Sequence, residues 1–475
     1  MGLLDIIEKN KEENGEETTT QQQKKVEEVK EIKVEDPYDA VKKKIHGRII
    51  LTLNRAGKAT VDRDEMEKLL TEEVDKDEYN IPRVERKPIV KTLLDDILGY
   101  GPIQDLIDSD NCSEIMVNGP DHVYIEQKGK LVLTDIKFRD EEHLMNIIDR
   151  IVTQVGRHVD EASPMVDARL PDGSRVNAII PPISLIGAVL TIRKFSSTPV
   201  TAAQLVEWGS LNPVMLSFLE ACVKGKLNIV VSGGTGSGKT TLLNVLSSYI
   251  PEDERIVTIE DAAEVQLHQE HVITLECRPA NLEGKGAITI RALVKNALRM
   301  RPDRIIVGEV RSEETLDMLQ AMNTGHDGSL TTTHANSPRD AMSRIETMVM
   351  MSGMELPVKA IRDQASSAID LIIQQSRLRD GSRKVTSITE VVGMEGDVVS
   401  LQDIFVFETD GTTDSRGKFK GQFRATGVVP KCIEKIRGNG VVVKNEWFAN
   451  YHAFFLCRSA DVCVRHSVGV GRYQS

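Results

Sequence analysis

The tightest constraint in this chain is a junction. An apolar, β-branched run at residues 227–232 passes directly into Gly233-Gly234-Thr235-Gly236-Ser237-Gly238-Lys239-Thr240, and an apolar-periodic helix follows at once over 241–249. The loop fits G-x-x-x-x-G-K-[ST] in the strand-loop-helix setting that this motif requires. Its glycines let backbone N–H groups close round phosphate oxygens, and the helix N-terminus adds partial positive charge. The candidate binding set is therefore Gly233, Gly234, Thr235, Gly236, Ser237, Gly238, Lys239, Thr240 and Thr241. Lys239 is expected to reach the β- and γ-phosphates of ATP, and the Thr240 hydroxyl to hold Mg²⁺.

Three further segments carry chemistry. The run Arg304-Ile305-Ile306-Val307-Gly308-Glu309 is an apolar strand ending in a carboxylate, the Walker B arrangement. An acid at that end of a strand faces the same crevice as the phosphate loop. Glu309 then holds the metal's water shell or polarises the attacking water; the alternative is that it caps the next helix with Ser312 and Glu313. A second strand ends in Ile259-Glu260-Asp261-Ala262-Ala263-Glu264. Three carboxylates in five residues repel one another unless cations sit among them, so either Mg²⁺ and water occupy the segment or it is a solvated loop of capping acids. The third segment, a β-branched strand at 329–333, delivers His334 to its end, with Ser337 and Pro338 as N-cap and first residue of the next helix. His334 is a candidate sensor of the γ-phosphate. His326, in Thr324-Gly325-His326-Asp327-Gly328, adds a second histidine beside the same strand. The cations of Leu298-Arg299-Met300-Arg301-Pro302-Asp303-Arg304 complement a helix C-terminus or contact a phosphate or subunit.

A chain of 475 residues implies roughly three domains. From Lys9 to Asp36 the sequence is Glu, Lys, Thr and Gln with hardly an apolar side chain, and 1–36 reads as a disordered acidic tail. Helical spacing at 38–53, 61–74 and 89–98 predicts a helical N-terminal segment over 37–98. Short β-prone runs, a helix at 142–155 and a hairpin turning at Pro171-Asp172-Gly173-Ser174 predict a smaller α+β domain over 99–198. From 199 to 447 strands alternate with helices, which predicts an α/β domain with a mainly parallel sheet.

The charge balance, 60 Lys and Arg against 72 Asp and Glu, gives a net −12. That weighs against tracking a nucleic-acid backbone, and an aromatic content of 4% weighs against stacking platforms. The longest mostly apolar stretch, 178–192, contains Pro181, Pro182 and Gly187 and is too short for a bilayer span. Acids at Asp5 and Glu8 do not suit a signal peptide, so the expected location is cytoplasmic. The six cysteines form no C-x-x-C pair, and His452, Cys457, Cys463 and His466 match no common finger spacing.

Together, 233–240, the acids at 260–264, the run 298–311 and the histidine segment 324–336 resemble the type II/IV secretion ATPases. The run Asp167-Ala168-Arg169-Leu170-Pro171-Asp172-Gly173-Ser174-Arg175-Val176-Asn177 looks most like the CpaF-type ATPases of tight-adherence (Tad, or Flp) pilus assembly. The similarity runs over about 37–447; residues 448–475 depart from it and read as an atypical, disordered tail. The resemblance implies a homo-hexameric ring, a RecA-like C-terminal domain, ATP and Mg²⁺, and integral inner-membrane platform proteins as partners. The chain itself would be peripheral to the membrane, with no direct nucleic-acid contact. By motif position, Arg169, Arg175 and Arg193 would approach the nucleotide across an interface, while Glu264 and Glu309 handle metal and water. The four-cysteine zinc insertion of many type II secretion ATPases is missing, which favours a pilus relative. The alternatives are a motor for conjugation or nucleic-acid translocation, and a nucleotide-gated scaffold with little turnover.

Overall fold

The computed structural model describes residues 37–55, 61–127, 129–195, 199–278, 280, 285–415 and 417–449. The expected leader at 1–36 and the histidine and cysteine group beyond residue 450 lie outside them. The chain divides into two compact units, one up to Pro102 and one from Ile103 onward.

In the first unit three helices, α1 (Asp39–Arg55), α2 (Arg63–Val74) and α3 (Arg83–Leu98), enclose Ile45, Ile49, Met66, Leu70, Leu93 and Leu94. Helix α3 starts six residues before its apolar spacing suggests and runs through Pro88. That proline removes one i→i−4 bond, and the apolar face of α3 buried on α1 and α2 offsets the loss.

The second unit holds two sheets. After the short α4 (Gln104–Asp108), a six-stranded antiparallel sheet forms from β1 (Glu114–Asn118), β2 (Val123–Gln127), β3 (Lys130–Leu133), β4 (Met165–Arg169), β5 (Arg175–Ile179) and β6 (Val189–Arg193), in the order β3-β2-β1-β6-β5-β4. Helix α5 (Glu141–Gln154) is capped by Asp140, which accepts the His143 N–H, and buries Leu144, Ile147, Ile148 and Ile151. The β4–β5 turn is the one expected: Gly173 takes φ 92°, and Asp172 accepts hydrogen bonds from both the N–H and the hydroxyl of Ser174.

Helices α6 (Ala202–Glu207) and α7 (Pro213–Lys224) lead into the larger sheet. Its strands are β7 (Ile229–Gly233), β8 (Ile256–Glu260), β9 (Val272–Glu276), β10 (Arg304–Val307), β11 (Leu330–Thr333), β12 (Leu371–Arg377), β13 (Arg383–Glu395), β14 (Val398–Thr413) and β15 (Phe419–Ala425), ordered β15-β14-β13-β12-β7-β11-β10-β8-β9. The strands from β12 to β9 in that order are parallel; β12 to β15 form an antiparallel meander that the expectation of a mainly parallel sheet did not include. Helices α8 (Lys239–Ser247), α9 (Ile290–Ala297), α10 (Glu314–Asn323), α11 (Pro338–Met350), α12 (Val358–Ala368) and α13 (Ile433–Gly438) complete the α/β architecture.

The parallel strands inside the edge strand β9 are buried on both faces, so their side chains alternate between two cores. Ile229, Val231, Ile306 and Ile373 enter one with Phe218 and Leu243; Val230, Ile305, Val307 and Ile372 enter the other with Ile345 and Ile361. The boundary expected near 198 falls between the two sheets, which belong to one compact unit. Phe448, which the expected tail at 448–475 included, is buried, with its ring 5.4 Å from Phe218 and 6.0 Å from Phe405.

Candidate nucleotide site

The site lies where β7, β10 and β11 end. β7 is buried throughout and turns at Gly233 into the loop. A Cβ on Gly233 would stand 2.2 Å from the Gln375 carbonyl oxygen of β12 and 2.6 Å from Ser237 Oγ, so only glycine lets the loop close against the neighbouring strand. Gly238, the N-cap of α8, sits at φ 94°, a left-handed conformation in which a side chain is strained. Thr235 is exposed at the tip, while Thr240 and Thr241 are half-buried in the first turn of α8.

The cradle suits an anion by its own chemistry. Ser237 Oγ is buried and has no hydrogen-bond partner among the described residues. Lys239 is 8% exposed; its ammonium donates to the Gly234 carbonyl at 3.1 Å and stands 3.4 Å from both ring nitrogens of His334. Burial lowers its pKa from the ordinary lysine value, opposed by Glu309 and reinforced by Arg311 and Arg193. No carboxylate makes an ion pair with it among the described residues, and a buried cation in that state favours an arriving phosphate.

Parallel register brings the other two groups in. β10 pairs β8 on one side and β11 on the other, and β11 pairs β7, so Glu309 and His334 emerge beside the loop. His334 Nε2 lies 2.8 Å from Glu309 Oε1. Burial lowers the His334 pKa, against the pull of Glu309 and with Lys239, Arg311 and Arg344 reinforcing it, which favours the neutral ring. The helix-capping alternative for Glu309 is not realised: Glu314 accepts the N–H groups of Arg311 and Ser312. His326 precedes β11, at the end of that strand away from His334, and so is not part of the site.

The cations among the acids after β8 are guanidiniums. Arg175 Nη1 pairs with Glu264 Oε1 at 3.0 Å, Arg169 Nη1 with Glu276 Oε2 at 3.1 Å, and Arg311 Nη1 with Asp261 Oδ2 at 3.1 Å. Glu264 is thus engaged by an arginine, and Glu260 turns inward to accept the N–H groups of Glu264 and Val265. Among the described residues no group of three His, Cys, Asp or Glu side chains has metal-holding geometry.

Arg169, Arg175 and Arg193 form one row. Arg169 is the register partner of Arg175, and Arg175 of Arg193, so all three project from the same face of the smaller sheet. Arg193 Nε is 3.5 Å from Glu114 of β1.

Sequence reasoning missed a second wall. The β12–β13 hairpin lies over the loop: Arg383 Nε donates to the Gly236 carbonyl at 2.9 Å, and Arg377 Nη2 donates to the Gly129 carbonyl of the smaller sheet at 3.1 Å. The turn Asp380-Gly381-Ser382 was the local signal for that hairpin. Arg311 was also missed, although it stands two residues beyond Glu309.

A phosphate loop on a central parallel strand, with a carboxylate and a histidine on the strands beside it, defines a P-loop α/β protein. The family model described as "Type II/IV secretion system protein" matches residues 96–447, and the chain belongs to that family of secretion and pilus-type ATPases. A putative conjugal transfer protein of Mycobacterium tuberculosis is 35% identical over 318 residues, covering 66% of this chain and 90% of that protein. The type IV secretion system protein VirB11 of Brucella abortus is 31% identical over 309 residues, covering 59% of this chain and 85% of its own. Among solved structures, the VirB11 ATPase from the Brucella suis type IV secretion system, in complex with sulphate, is 29% identical with a TM-score of 0.34, covering 60% of this chain and 94% of that one. No helix among the described residues is long and apolar enough to cross a membrane.

Proposed function

We propose that the chain is a Mg²⁺-dependent ATP hydrolase that works as a hexameric motor and drives assembly or retraction of Tad or type IV-like pili, or related secretion, through integral inner-membrane platform proteins, from the cytoplasmic side. The observation that carries the hydrolase reading is the convergence of Lys239, Glu309 and His334 beside the phosphate loop, with His334 3.4 Å from the lysine ammonium and 2.8 Å from the carboxylate. Lys239 and the loop N–H groups hold the β- and γ-phosphates, and the Thr240 hydroxyl suits a metal bound to them. The metal, when bound, offsets phosphate charge. Glu309 orients a water and takes its proton while the water oxygen bonds to the γ-phosphorus. The electron pair of the breaking P–O bond leaves with ADP, and neutral His334 reports the loss of the γ-phosphate. Arg169, Arg175 and Arg193 supply positive charge across an interface, so that product formation releases one rigid body from another.

The run 167–177 carries the Tad assignment. A conjugation-type motor is the second reading, favoured by the name of the mycobacterial relative. Stimulation of turnover by single-stranded DNA, with steep salt dependence, would select it. Steady-state phosphate release tests hydrolysis itself. Lys239→Ala is expected to abolish turnover, and Glu309→Ala to bind ATP but stall, a loss of roughly a hundredfold or more. Normal release by Lys239→Ala would refute the site, and tight binding without release by the unmodified chain would select the nucleotide-gated scaffold.

A further inference from the structure

The Glu309 carboxylate is held asymmetrically. Arg311 takes one oxygen with two donors: Nε donates to Oε2 at 2.8 Å, and Nη2 makes a second, shorter bond to the same atom. The third guanidinium nitrogen, Nη1, is spent on Asp261 Oδ2 at 3.1 Å, in the segment after β8. The other oxygen, Oε1, is buried and accepts no hydrogen bond among the described residues; His334 Nε2 is 2.8 Å away but lacks donor geometry. A buried carboxylate oxygen without a donor is costly, and such orphans mark a place for water or a reacting group. Here the orphan faces the histidine that touches Lys239.

We infer that Arg311 is a positioning residue for hydrolysis: anchored on Asp261, it saturates Oε2 of Glu309 and thereby presents Oε1 to the attacking water. The inference rests on the proposed hydrolase reading and adds to it a residue whose guanidinium nitrogens are all engaged by carboxylates. A planar guanidinium with all three nitrogens engaged fixes the rotation of the carboxylate, which a point-charge ammonium does only in part. Asp261, which also meets the Cys277 thiol, bears on Glu309 through Arg311, so in positioning that carboxylate the two residues form one unit.

The test uses the full chain with Mg²⁺ and ATP, reading kcat and KM from phosphate release and affinity from titration with a fluorescent ADP analogue. Arg311→Ala should lower kcat roughly tenfold or more, the scale of a misoriented catalytic group, while ADP affinity stays within about threefold. Arg311→Lys should recover part of kcat. Asp261→Asn should lower kcat by a smaller factor, and Arg311→Ala with Asp261→Asn should be no slower than Arg311→Ala alone. If Arg311→Ala does not fold, Arg311→Lys and Asp261→Asn decide: both must lose kcat at unchanged affinity. Wild-type kcat in these variants, a loss confined to KM or affinity, or multiplying losses in the double variant would overturn the inference. Absence of hydrolysis by the unmodified chain would instead remove the reading beneath it.

Discussion

Single residues in the loop differ in what they tolerate. Gly233 and Gly234 are neighbours, yet a Cβ on Gly233 would meet a backbone oxygen of β12 at 2.2 Å, whereas one on Gly234 would meet nothing within 4 Å. The Gln375 carbonyl cannot retreat without bending a buried strand, so Gly233→Ala should destabilise the protein by about 1–3 kcal/mol, and Gly234→Ala by about 0.5 kcal/mol or less. Thermal melts of the two variants check this, with several degrees expected for the first and almost none for the second. Equal melting temperatures would mean that the loop is not pinned to β12. At this scale the sequence was informative about place: Glu309 and His334 follow strand ends, Lys239 opens the helix after the loop, and the three come together. It was silent on Gln375 and Arg383, whose partners come from segments far along the chain, and on Arg311, whose anchor Asp261 is equally remote from it although Glu309 is not. Register also explains what motif position alone did not: Arg169, Arg175 and Arg193 sit side by side because β4, β5 and β6 pair in order.

At the scale of elements, the buried strands were legible because continuous β-branched runs between loops have few other folds available. The meander was not, since β14 buries only Ile404 and Phe405 along its length and shows no apolar alternation. β8 illustrates how one side chain closes an element. Its last residue, Glu260, folds back to accept the N–H groups of Glu264 and Val265, packed so closely that a Cβ on Gly308 would meet its Cγ at 2.8 Å. Burial pushes the Glu260 carboxyl up to about 7, aided by Glu264 and opposed by those N–H groups and by Arg169. The unfolded chain carries this group near 4.5, so between about pH 4.5 and 7 the native state binds the extra proton. Stability from Glu260 is therefore complete below that window, falls as pH rises through it, and levels off above 7, a swing of at most about 3 kcal/mol. Urea unfolding from pH 5 to pH 8 checks the sign: wild type should lose more stability across this range than Glu260→Gln, whose side chain does not titrate. Parallel profiles would show that Glu260 carries its charge in the native strand.

For the whole molecule the question is whose arginines serve whose phosphate loop. Within one chain, Arg175 and Arg169 are paired with Glu264 and Glu276, at side-chain exposures of 43% and 28%, and pairs that open to water hold with only about 1 kcal/mol each or less. Contacts that weak can exchange a carboxylate for a phosphate as nucleotide arrives. In a closed ring every interface is heterologous, so a loop on one chain and an arginine row on the next can make one site. Mixing two inactive chains separates the cases. Lys239→Ala chains keep their arginines, and chains with Arg169→Ala and Arg175→Ala keep their lysine; each alone should be nearly silent. If the arginines act between chains, equal mixing before assembly creates a complete site wherever a lysine-bearing chain receives arginines from the other kind. With random order that is half of a half, so phosphate release should return to roughly a quarter of wild type. If the row serves only its own chain, no mixture contains a complete site and release stays at the sum of the two variants. Arg193, whose charge already lowers the Lys239 pKa within the same chain, supplies the contrast: mixing Lys239→Ala with Arg193→Ala should restore nothing if that arginine acts at its own loop.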